Sequence, residues 1–184
     1  FFHALGAGAT MKTFLTVKFT LVPYIAFYWL LARGMTGGAI AAGLALAAAL
    51  AAWRLSRREF FVFELGGLAI FALFGALWLI APAWTAANAL WLSFVGQGLI
   101  ALGALALGRP WTSDYSRAAH ADAADSPQFF AINAALSGLW GMLFMALGLR
   151  AYLQAPGWIT TAIVVSGALV SIFGPNLLIN FTLK

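Results

Sequence analysis

Residues 37–80 read GGAIAAGLALAAALAAWRLSRREFFVFELGGLAIFALFGALWLI, two apolar runs on either side of one basic turn. Crossing about 30 Å of hydrocarbon takes roughly 20 apolar residues at the helical rise, and each run meets that length. Neither alternates between apolar and polar with period two, so barrel strands are excluded. Lipid then requires a backbone that bonds to itself, which is a helix. The first run, Gly37–Trp53, is built from small residues that let backbones approach closely where lipid gives no hydrophobic drive for association. The second, Phe61–Ile80, opens on aromatics and contains Glu64 one turn in.

Outward from this hairpin, four more stretches have spanning length: Phe14–Ala32 before it, then Ala87–Leu107, Phe129–Leu149 and Trp158–Leu178. Of the 184 residues 64% are hydrophobic and 8% charged, against about 45–50% and 25% in soluble domains. The expectation is an all-α polytopic bundle of six transmembrane helices in a single domain, 1–184, with no separate soluble domain to carry an activity. Either Met11-Lys12 is the natural start or further residues precede Phe1, and the first span reads as uncleaved because no small-x-small site follows it. The longest polar stretch is Gly108–Gln128, GRPWTSDYSRAAHADAADSPQ.

Orientation follows from Lys and Arg, which collect in cytoplasmic loops. An N-in start puts Lys12, Lys18, Arg54, Arg57, Arg58, Arg109, Arg117 and Lys184 inside, and only Arg33 and Arg150 outside. Both termini and the 108–128 loop are therefore expected in the cytoplasm. The net charge of +5 is expected to face anionic membrane lipids and not nucleic acid. With no cysteine, there is no disulfide or thiolate site.

Charged side chains within spans are costly and need an account. Lys18 and Glu64 each lie about one turn inside a span, and they form the candidate intramembrane polar pair. Glu64 has Lys18, Arg57 and Arg58 as possible partners; an interfacial ion pair is the favoured reading over a proton or cation relay. At the midplane, Gln97, Ser166 and Ser171 read as interhelical hydrogen-bond glue. Gly34 and Gly38 have the spacing of a dimer ridge, with ordinary intrachain packing as the stronger expectation. Gly174-Pro175-Asn176 reads as a kink or helix end.

No chemistry announces itself. His3 and His120 lie outside the spans, so axial haem ligation is disfavoured. Asp114, His120, Asp122 and Asp125 share the polar loop, which reads as a solvated segment and not a metal site, and no phosphate-binding glycine motif occurs. The expected cofactor set is none and the expected class non-enzymatic. Ser126-Pro127 supplies a helix N-cap and first-turn proline before the fifth span. Glu59–Glu64 (EFFVFE) and Gln128–Asn133 (QFFAIN) open the third and fifth spans alike; a duplicated hairpin would explain this, but the recurrence of Phe-rich span starts by composition is the stronger expectation.

Several scattered features together resemble the intracellular septation protein A family of bacterial inner-membrane proteins. They are the Tyr24 and Tyr28 aromatics, an Ala-rich second span ending in Trp53-Arg54, the turn Arg57-Arg58-Glu59, Arg109-Pro110 after the fourth span, and Pro127 with Phe129–Asn133 before the Trp- and Gly-containing fifth. The resemblance runs from about Thr13 onward. The longer loop and the Gly-Pro-Asn segment depart from it. It implies a non-enzymatic envelope protein linked to division and wall synthesis through membrane partners, and it transfers no functional residue.

The resulting expectation is a scaffold or accessory protein that binds other integral membrane proteins or itself. Its candidate docking loop carries Arg109, Trp111, Asp114, Tyr115, Arg117, Asp122 and Asp125. A small transporter or channel, and an accessory subunit of a bioenergetic or photosynthetic complex, are the alternatives.

Overall fold

The computed structural model describes residues 7–117 and 120–182, with side-chain surroundings described for 19–117 and 120–171. The described residues form helices and turns without a strand. In chain order the helices are α1 (Ala7–Leu31), α2 (Thr36–Ser56), α3 (Val62–Ile80), α4 (Pro82–Ala106), the single turn α5 (Ser113–Ser116), α6 (Pro127–Tyr152) and α7 (Gly157–Thr182). Four of them, α2, α3, α4 and α6, are long and apolar enough to cross a membrane; the described apolar parts of α1 and α7, Phe19–Leu31 and Gly157–Ser171, are shorter.

Each of the six stretches expected to be helical is helical, with shifted ends. Helix α2 continues to Ser56, which takes Arg54 out of the turn and into the last helical turn. Helix α4 starts at Pro82, where a fixed φ and a missing N–H suit the first helical position. Helix α7 continues through Gly174-Pro175-Asn176, where a kink or end was expected. Gly34 lies in the turn after α1 at φ +74°, outside any helix, so it forms no ridge with Gly38.

Several helices end alike. After α2, the Arg58 amide bonds to Leu55 O and the Glu59 amide to Arg54 O. This closure needs a left-handed residue, usually glycine, just past the helix. Gly34 and Gly108 hold that place after α1 and α4, whereas Arg58 (φ 58°) and Gln154 (φ 52°) hold it after α2 and α6.

The chain divides into two units, one of Phe1–Ala89 with Ser113–Ala124, the other of Leu90–Thr112 with Asp125–Lys184. In the first unit α1 packs on α2 and α2 on α3. Its core is aromatic: Phe27 meets Phe71 at 5.4 Å and Phe74 at 5.8 Å between ring centroids, and Tyr24 meets Phe71 at 5.2 Å. Gly43 of α2 faces the Phe71 ring so closely that a methyl group there would collide with it. The small residues of α2 thus serve to admit the large ones of α3.

In the second unit α6 packs on α7, and α4 approaches α6 at Gly148. A Cβ on Gly148 would lie 3.3 Å from both Trp91 O and Val95 N, so the two backbones nearly touch. Trp140 Nε1 of α6 donates to Ser171 Oγ of α7 at 2.9 Å. Outside these contacts the helices leave large apolar side chains exposed, Leu79 and Leu107 at more than four-fifths, which suits a surface solvated by lipid. Exposed Trp29, Trp53, Trp84 and Trp158 lie at helix ends, where rings reach headgroup level.

Candidate functional site

The turn between α2 and α3 brings the buried charges of the first unit together. Arg54 stands in the last turn of α2 and Glu64 in the first turn of α3, positions where each charge is favoured by its own helix dipole. Arg54 Nε lies 3.1 Å from Glu64 Oε2, and Arg54 Nη2 donates to Glu64 Oε1 at 3.2 Å. Their side chains are only 7% and 2% exposed. Thr20 Oγ1 of α1 donates to Glu64 Oε1 at 2.7 Å, and Arg54 Nη1 donates to Glu59 Oε2 at 2.7 Å. The Arg54 guanidinium also lies 3.9 Å over the Phe61 ring. Three helices are joined by this cluster, and the carboxylate of Glu64 accepts from two of them.

The polar loop folds back on the same place. Asp114 Oδ2 accepts from the amide of Val62, the first residue of α3, at 2.9 Å. Phe61 occupies the N-cap position and gives no side-chain cap, so Asp114 satisfies a donor that the local sequence leaves open. Tyr115 is buried and stands edge-on to Phe61 at 4.9 Å. Burial, and then the nearby Glu64 charge, raise its phenol well above the ordinary tyrosine value. Helix α5 also packs on α1.

The structure therefore brings some expected site residues together and separates others. Glu64 is paired with Arg54, not with Arg57 or Arg58; the side chain of Lys18 lies outside the described residues. Arg54 was missed as a partner because it was counted with the loop cations. The signal was its spacing: a charge in the last turn of one helix facing a charge in the first turn of the next. Of the loop residues, Tyr115 and Trp111 are buried, Asp114 is engaged with α3, and Arg109, Arg117, Asp122 and Asp125 are exposed. His120 Nδ1 lies 3.0 Å from Ser116 O. Among the described residues no group of three or more His, Cys, Asp or Glu comes together.

The second unit has a polar cluster of its own, made of neutral groups. Thr112 Oγ1 donates to Asn133 O at 2.9 Å, and Asn133 Nδ2 donates to Phe129 O one turn back at 2.9 Å. Thr112 Oγ1 and Ser137 Oγ lie 3.1 Å apart. Ser126 Oγ accepts from the Phe129 amide at 3.1 Å and so caps α6, with Pro127 following it. Of the residues expected at the midplane, Gln97 is buried and donates to Ser93 O at 3.1 Å, Ser171 joins α6 to α7, and Ser166 is exposed.

Comparison with protein-family models, with curated proteins and with solved structures finds no match for this chain.

Proposed function

We propose that this protein is a six-span, N-in and C-in component of a bacterial cytoplasmic membrane that acts without catalysis, by holding another integral membrane protein. The observation that carries the reading is the folded-back loop. Asp114 and Tyr115 fix the α5 turn to the first unit, and Arg117 and Asp122 beyond it stay exposed. A polar segment held in one conformation binds a partner with less ordering to lose than a free one. The described polar groups inside the helices support the same view. Glu64, Asn133, Ser137 and Ser171 bond to neighbouring elements or to their own helix, the use expected of fasteners. The layout resemblance to septation proteins supports a partner in the machinery of envelope growth and division.

The test is purification from native membranes in mild detergent, with identification of the proteins that accompany the chain. A partner in fixed ratio is expected, weakened by Arg117→Ala with Asp122→Ala and kept in Glu59→Gln. Elution of the wild-type protein alone would overturn the proposal.

A further inference from the structure

Between the last turn of α2 and the first turn of α3 stand three arginines and two glutamates, and one arginine takes both acids. Arg54 bonds Glu59 and Glu64. Arg57 and Arg58, both exposed, are left with no carboxylate among the described residues. Arg33 bonds Trp29 O and lies over its ring, and Arg150 bonds Pro156 O, whereas Arg109 after α4 is a single exposed cation with no second arginine beside it. The Arg57 guanidinium is held 4.4 Å over the exposed Trp53 ring. Arg58 occupies, at φ 58°, the left-handed position that α1 and α4 give to glycine and α6 to Gln154. A bulky residue there is strained, and glycine would relieve that strain without disturbing the turn.

We propose that Arg57 and Arg58, flanked by Trp53 and Phe60, seat the phosphate of an anionic glycerophospholipid. Two adjacent cations match one phosphate, and the guanidinium fork suits its oxygens. Trp53, Leu55 and Phe60, exposed and within five residues of them in sequence, offer apolar surface to the acyl chains of such a lipid. A soluble phosphate has nothing to match that surface. The site depends on membrane residence alone and stands whether or not a protein partner is found.

The experiment is native mass spectrometry of the purified protein exchanged against vesicles of equal phosphatidylglycerol and phosphatidylcholine. Wild type is expected to retain phosphatidylglycerol preferentially, and Arg57→Gln with Arg58→Gln to lower that preference roughly 30-fold. Arg58→Gly separates binding from folding: it relieves the left-handed strain, so its melting temperature is expected to hold or rise while the preference falls roughly fivefold. Arg33→Gln is expected to leave the preference intact. Undiminished preference in both Arg58 variants would overturn the assignment. So would competition by glycerol 3-phosphate at the same concentration as the lipid.

Discussion

Helices α3 and α6 begin on matching sequence, Phe60-Phe61 and Phe129-Phe130, with Glu64 and Asn133 at corresponding places. Both polar residues are buried, yet they are satisfied in opposite ways. Asn133 has donors, and its amide turns back to Phe129 O of its own helix. A carboxylate only accepts, so Glu64 needs donors from elsewhere and draws Arg54 from α2 and Thr20 from α1. The helix starts follow the same division. Ser126 caps α6 from the adjacent residue, whereas α3 receives its cap from Asp114 in a later loop. One helix start is capped by its own adjacent residue, and the other is a junction on which three further segments depend.

That contrast is exposed most strongly by removing each polar residue. Glu64→Ala leaves Arg54 buried without its main partner and is expected to destabilise the protein by about 3–5 kcal/mol. Asn133→Ala is expected to lose about 1 kcal/mol. Denaturant unfolding in detergent measures both, and equal losses would break the comparison. The caps give a finer test. Asp114→Ala and Ser126→Ala are each expected to lose about 1 kcal/mol, but only Asp114→Ala should speed proteolysis within the loop, since only that cap also holds the loop. Equal cleavage in the two variants would remove the distinction.

The smallest effect concerns pH. The Tyr115 phenol titrates higher in the folded protein than unfolded, so its contribution is complete below the ordinary tyrosine value of about 10. It is lost as pH rises through the raised folded value. Melting temperatures followed into that alkaline range should fall more for wild type than for Tyr115→Phe.

The helices were legible because spanning length and unbroken apolar runs state themselves in composition. The Ser126-Pro127 start of α6 was legible because every participant lies within a few residues. The α3 junction was only half visible. Glu64 stands out as a charge in an apolar run, but the partners its position suggests, Lys18, Arg57 and Arg58, leave out Arg54, and helix extent decides that choice. Once α2 continues past Trp53, Arg54 lies on a helix and turns inward, leaving Arg57 and Arg58 outside. The Asp114 cap was not visible at all, because an aspartate in a polar loop looks the same whether it is solvated or bonded to a distant amide. Burial of Trp111 and Tyr115 was hidden for the same reason: aromatics beside a membrane have a ready alternative place at headgroup level.

The remote cap of α3 also sets an order of events during synthesis. Arg54 and Glu64 are ten positions apart, so their charges can neutralise each other as soon as the α2–α3 hairpin has left the ribosome. Asp114 follows Val62 by 52 positions. At about 5–20 residues per second it appears roughly 3–10 s later. For that interval the first amide of α3 must rely on water or on headgroups. The junction is therefore closed in two stages, first by the hairpin and then by a loop translated after α4 has been made.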